Sequence, residues 1–215
     1  MTTETSRHVR PACLLLTALL ASCYSTATLH TARPIAPGAV QSAAAVGVYV
    51  EDDDGDGDGA REVYRLLEGQ IRVGLSERVD AGTHLLGFGG LGLDLNLALL
   101  LTETQAVSID PTIEYSIGAT YAWLPVLWDF FHTEDLTLTA SLRGGRYWLD
   151  VDGDDDGFLF DDIGEDAWLY GGGLAARVQL TDSMAIAPEV RVIWADPGGG
   201  DASVPIWSVS LGLIF

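Results

Sequence analysis

The sequence predicts an all-β fold, an antiparallel transmembrane β-barrel of about ten strands, with eight as the alternative count. Three observations carry this. From residue 41 onward apolar side chains recur with a period of two rather than 3.6. The face opposite them is rich in Gly, Ala, Ser and Thr, and all 11 basic residues of the chain are arginine. The connections between the runs alternate between short polar turns and longer acidic or glycine-rich stretches.

At 215 residues the chain is long enough for one domain of ordinary size. Its 31 acidic residues leave a net charge of -20, which argues against nucleic acid or an anionic membrane surface as a partner of basic patches.

Residues 1–22 have the build of a signal peptide. Arg7, His8 and Arg10 form a positive start, and "PACLLLTALLAS" is an apolar core too short to span a bilayer, which needs ~20 helical residues. The stretch Leu20-Ala21-Ser22-Cys23 resembles the lipobox of bacterial lipoproteins, which implies acylation of Cys23. The residue after it is Tyr24 and not the aspartate that favours inner-membrane retention in such proteins. An ordinary secretory signal with an incidental cysteine is the alternative. Cys13 leaves with the signal, so no intramolecular disulfide is possible. Residues 23–40, polar and proline-containing, are expected to be a flexible tether to a barrel over 41–215.

The strands are expected near 41–50, 62–76, 79–87, 90–100, 106–117, 119–131, 136–149, 167–180, 184–195 and 204–215. In the second, Ile71, Val73 and Leu75 alternate with Glu68, Gln70 and Arg72. The fourth sets Leu91, Leu93, Leu95 and Leu97 against Gly92, Asp94 and Asn96, and the fifth sets Val107, Ile109, Ile113 and Tyr115 against Ser108, Asp110, Thr112 and Glu114. The seventh and ninth runs show the same alternation, with Leu138 and Leu142 opposite Thr139 and Arg143, and Val190 and Val192 opposite Glu189 and Arg191. The third and sixth runs are the least clearly marked.

Alternation does not say which face is inside. A soluble periplasmic β-sandwich or lipocalin-like binding protein would bury the apolar side, whereas a membrane barrel shows it to lipid. The polar face favours the second. Its charges, Glu68, Asp94, Asp110, Glu114 and Glu189 with Arg72, Arg143, Arg177 and Arg191, suit an ion-pair network inside a narrow lumen, with Glu114, Glu189, Arg143 and Arg177 near its centre. Aromatic residues collect at the strand ends: Tyr49, Tyr64, Trp123, Trp148, Trp168, Tyr170, Trp194 and Trp207 toward the long connections, and Trp128, Phe130, Phe131 and Phe215 toward the short ones. Two such girdles match the two interfaces of a bilayer.

The last run, "SVPIWSVSLGLIF", alternates up to a terminal phenylalanine. It resembles the C-terminal strand of small bacterial outer-membrane β-barrel proteins. The resemblance covers residues ~41–215. It implies location in the bacterial outer membrane, contact with its lipid, and assembly-machinery recognition of the strand that ends in Phe215.

The acids gather in the connections. "EDDDGDGDG" at 51–59 and "DVDGDDDGFLFDDIGED" at 150–166, with Asp196 and Asp201, hold 17 of the 31. Asp52, Asp54 and Asp56, and again Asp152, Asp154 and Asp156, reproduce the opening D-x-D-x-D-G of a calcium loop. The acid expected at position twelve is replaced by Val63 and Ile163, so a helix-flanked calcium site is not expected. Weak Ca2+ coordination, or a merely hydrated rim, is; no tightly held cofactor is expected.

No catalytic set is apparent. Of His30, His84 and His132, only His84 is placed as small lipid-modifying barrel enzymes would need it, and no nucleophile is marked for it. A pore is also a weak reading, since ten strands leave little space once side chains fill the interior. The composition points to a structural or surface-interaction role.

Overall fold

A computed structural model describes residues 27–52, 61–86, 90–116, 119–149, 166–196 and 205–215. In chain order the strands are β1 (Val40–Asp52), β2 (Arg61–Ser76), β3 (Val79–Leu86), β4 (Gly90–Leu101), β5 (Ala106–Ile109), β6 (Thr112–Ser116), β7 (Ala119–His132), β8 (Leu136–Leu149), β9 (Asp166–Thr181), β10 (Met184–Asp196) and β11 (Pro205–Ile214). Each pairs antiparallel with its neighbours, and β1 closes on β11 from Ala43 opposite Ile214 to Glu51 opposite Ile206. At the C-terminus Ser42 and Phe215 exchange both backbone hydrogen bonds, at 3.1 and 2.8 Å.

β5 and β6 are two halves of one stave, because both lie between β4 and β7. The barrel therefore has ten staves rather than eight. The break falls at Asp110 and Pro111, where proline has no N–H for the ladder. Asp110 N donates instead to Pro125 O at 2.9 Å, and Pro111 O accepts from Leu95 N at 3.2 Å. Four register shifts, at Gly74/Ser76, Ala98/Leu100, Asp129/Phe131 and Met184/Ala185, all lie near the short-turn rim. Bulges there let tilted strands meet tight turns.

The apolar faces point outward. Leu93 is 55% exposed, Ile113 54%, Leu142 70% and Val209 57%, whereas Asp94, Thr112, Ser141 and Ser208 beside them are buried. A soluble sandwich or lipocalin would show the reverse, so that alternative fails. Water would not tolerate this exterior, but hydrocarbon solvates it.

Trp168, Tyr170 and Trp207 are exposed at the long-loop end, with Trp194 stacked on Tyr170 at 5.8 Å. Trp128, Phe130, Phe131 and Phe215 are exposed at the short-turn end. The side chains of Tyr49 and Tyr64 lie outside the described residues. Trp123 departs from the expected girdle: it is only 4% exposed and points inward. There it joins Tyr121, Tyr147, Leu169, Ile193 and Ile206 in an apolar cluster in the long-loop half of the lumen. The interior is thus not polar throughout.

Candidate functional site in the barrel lumen

Residues 27–35 do not form a free tether. They run through the lumen, with Ala27 to Thr31 each no more than 7% exposed and Ala32 fully buried. The segment is outside the sheet, so its amides have no ladder to join and need other acceptors. Wall carboxylates supply them. Thr28 N donates to Glu189 Oε2 at 2.6 Å, Ala32 N to Asp129 Oδ1 at 3.0 Å, Arg33 N to Asp129 Oδ2 at 3.1 Å, and Ile35 N to Asp80 Oδ2 at 3.0 Å. Ala27 N points at Glu68 Oε1 at 3.5 Å. Several inward-facing acids are therefore docking acceptors for the chain's own N-terminal segment.

The segment leaves at the short-turn rim through a turn in which Ala39 N donates to Ala36 O at 2.9 Å and Gly38 takes a φ of +77°. Gly38 N then donates to Gly74 O at 2.8 Å, and Gly74 N to Ala39 O at 3.0 Å. Gly74 has to be glycine, since a Cβ there would collide with the Ala36 carbonyl.

The centre of the lumen is built on Arg72, of which 1% is exposed. Its Nε donates to Asp80 Oδ1 at 2.7 Å, Nη2 also meets Asp80, Nη1 meets Asp94, and Asp110 stands 3.9 Å from Nη2. Gly82 leaves room for this pair, since a Cβ there would strike Asp94 and Arg72. His30 connects the segment to the cluster: Arg72 Nη1 donates to its Nδ1 at 3.2 Å, and its Nε2 faces Asp110 Oδ2 at 3.0 Å. With Nδ1 accepting, the ring proton belongs on Nε2. A second cluster lies across the lumen. Arg191 meets Glu189 and the Thr28 hydroxyl, Arg143 Nη2 reaches the same hydroxyl at 3.4 Å, and the Arg143 guanidinium lies 5.2 Å from the centroid of Trp123.

Of the residues expected to form the lumen network, Glu68, Arg72, Asp94, Asp110, Glu114, Arg143, Glu189 and Arg191 are all buried and face inward. Arg177 is not central; half-buried near the short-turn end, it donates to Gln41 Oε1 at 3.1 Å. Sequence reasoning missed Asp80, Asp129 and the whole N-terminal segment. Asp80 and Asp129 lie on the two least clearly marked runs. No periodicity could mark an irregular segment held by side chains. Cys23, Asp54, Asp56, Asp152, Asp154 and Asp156 lie outside the described residues, as does the side chain of Asp52.

Among the described residues one group has the spacing of a metal site: ligand atoms of His30, Asp94 and Asp110 lie within 4.8 Å of one another. The Arg72 guanidinium already pairs with Asp94 and stands beside Asp110, and so supplies the cation there. His84 has both ring nitrogens engaged, Nε2 with Asp94 and Nδ1 with Gln70 at 3.3 Å, which leaves neither to activate a nucleophile. Two small voids flank the segment, of about 20 Å³ beside His30, His84 and Glu114 and about 10 Å³ beside Leu29 and Thr139. Each has room for about one water molecule.

No protein-family model and no curated protein matches the chain. Solved structures do. An outer-membrane channel from Pseudomonas putida F1 superposes with a TM-score of 0.51 at 13% identity, over 88% of this chain and 100% of that one. The outer-membrane protein OprG from Pseudomonas aeruginosa gives 0.40 at 13% identity, over 86% and 99%, and Ail, the attachment invasion locus protein of Yersinia pestis, gives 0.33 at 11%, over 83% and 99%. The fold is that of bacterial outer-membrane β-barrels. At these identities the likeness extends to the fold alone, and the apolar exterior independently calls for a membrane.

Proposed function

We propose that this protein is a non-conducting barrel of the bacterial outer membrane with a structural or surface-interaction role, neither a pore nor an enzyme. The observation that carries this reading is the filled lumen. The N-terminal segment occupies its short-turn half and the Tyr121, Trp123 and Tyr147 cluster its long-loop half. Such a barrel meets other molecules through its rims. On the long-loop rim the segments at 51–58 and 150–156 are the concentrated charge, and they bind Ca2+ weakly through Asp52, Asp54, Asp56, Asp152, Asp154 and Asp156. The engaged nitrogens of His84 support the non-enzymatic reading.

The strand ending in Phe215 is read by the barrel-assembly machinery, which requires its alternating face to be open before β1 pairs with it. Acylation of Cys23 would add little to the retention of a chain whose ten staves already span the bilayer. The test is planar-bilayer recording of the detergent-folded barrel. The expected trace shows no single-channel steps; a steady conductance from the intact protein would overturn the reading.

A further inference from the structure

Arg146 is a charge on the outside of the wall. β8 turns Arg143 and Tyr147 inward, so alternation puts Arg146 on the lipid side, near the long-loop rim. Asp166, on the outward face of β9, meets its Nη2, and the two side chains remain 40% and 49% exposed. The guanidinium lies 5.6 Å from the ring centroid of Trp148 and 5.5 Å from that of Trp168. These rings hold it at the depth where aromatic belts meet lipid headgroups. Asp196, exposed and opposite Trp168 in the β9–β10 register, puts a second carboxylate on the same rim.

Below Arg146 the apolar exterior is hollowed. Two troughs of about 600 and 650 Å³ run into each other across β7, β8, β9 and β10, and Val126, Leu142, Gly172 and Val192 line both. The hollow exists because Gly144, Gly172 and Ala140 stand where the outward positions beside them carry Leu124, Tyr170, Leu142 and Leu174. A Cβ on Gly144 would meet nothing within 4 Å. Trp128 and Trp207 line the lower trough. From Arg146 to Ala140 is six residues of β8, which is ~20 Å of strand and ~15 Å of depth at a tilt of ~40°. That depth is half of a hydrocarbon core ~30 Å thick. The hollow therefore spans one leaflet, with its charged end at the leaflet surface.

We propose that this hollow binds one lipid of the outer leaflet with a zwitterionic aminophosphate headgroup, of the phosphoethanolamine class. One acyl chain lies over Gly144 and Gly172 and reaches Ala140. The phosphate accepts from Arg146, which has five N–H donors and gives Asp166 only those of Nη2. The ammonium is drawn to Asp166 and Asp196 and to the faces of the tryptophan rings. A half-exposed pair of opposite charges complements a headgroup that carries both signs. A purely anionic headgroup would instead bring its charge against the two carboxylates.

The test is native mass spectrometry of the intact protein, extracted folded in detergent, delipidated, and titrated with dimyristoyl phosphatidylethanolamine or dimyristoyl phosphatidylglycerol. One phosphatidylethanolamine per barrel is expected, retained about fivefold more than phosphatidylglycerol, the ratio for one interfacial charge contact. Equal or greater retention of phosphatidylglycerol overturns the headgroup assignment. Gly144→Leu fills the trough and should abolish retention. Gly69→Leu is the control: that position is equally open and lies on β2, on the opposite wall, so retention should not change. Loss in both variants alike, or in neither, overturns the site. Arg146→Gln should reduce phosphatidylethanolamine retention about fivefold, with partial rescue by Arg146→Lys; an unchanged value for Arg146→Gln overturns the phosphate contact.

Discussion

Arg33 is held at both ends by groups distant in sequence, and Asp129 is the first of them. Its amide donates to Asp129 Oδ2 at 3.1 Å across 96 residues, while its guanidinium donates to the carbonyls of Thr102 at 2.6 Å and Glu103 at 3.0 Å in the β4–β5 turn. One residue thus ties the luminal segment to β7 and to the rim through which that segment leaves.

Asp129→Ala should loosen this tie. It strands the amide of Ala32 and the Thr139 hydroxyl, which donates to Asp129 Oδ1 at 2.7 Å, and leaves the Arg33 amide only the Thr31 hydroxyl at 3.3 Å. Each buried group left unpaired costs ~1–3 kcal/mol, so a loss of about 3 kcal/mol is expected in urea unfolding of the folded barrel. Asp129→Asn, which retains one acceptor oxygen, should lose less than half of that. Equal losses for the two would show that the amides are not bound to this carboxylate.

Arg72→Met should be more damaging, at about 3–5 kcal/mol, because Asp80 and Asp94 would keep their charges without the guanidinium that holds them. Adding Asp94→Asn should restore part of the loss. A double-mutant cycle showing no coupling between positions 72 and 94 would place the two side chains apart.

Two glycines of neighbouring strands separate crowding from general strand effects. Gly82→Ala drives a methyl into the Asp94–Arg72 pair and should cost ~1–3 kcal/mol. A Cβ at Gly69 meets nothing within 4 Å, so Gly69→Ala should leave the unfolding midpoint unchanged or slightly raised. The reverse order would mean that β2 and β3 are paired in another register.

Leu142→Arg tests the exterior. The leucine sits mid-strand on β8 and is 70% exposed, so the substitution puts a charge into hydrocarbon at a cost of ~2–4 kcal/mol. Unfolding from liposomes should reveal it. An unchanged midpoint would show that this face is not covered by lipid.

Calcium titration of the folded barrel, followed by NMR shifts of the loop amides, should give saturable changes confined to 51–58 and 150–156, with a midpoint in the millimolar range. Absence of any response at ~10 mM would leave these acids as a hydrated rim.

The period of two is a local property, and it determined much on its own. Ile71, Val73 and Leu75 against Gln70 and Arg72 specify a strand with one apolar face wherever that strand lies, so ten runs were placed to within two residues of the observed ends. The composition of the polar face favoured that side as the inside, because a crowded lumen selects small residues and arginine, and the exposure of the apolar faces decided it. The tertiary structure decided what local pattern does not encode. In β7 large side chains occupy both faces, Tyr121, Trp123 and Leu127 inward against Leu124, Val126 and Trp128 outward, so alternation there has no apolar side to report. The interruption at Asp110 becomes visible only through its partners, Pro125 and Leu95, on adjacent staves. Residues 27–35 are the clearest case: an extended segment bonded to carboxylates 41 to 161 residues away has no repeat of its own, and only closure of the barrel brings Glu68, Asp80, Asp129 and Glu189 around it.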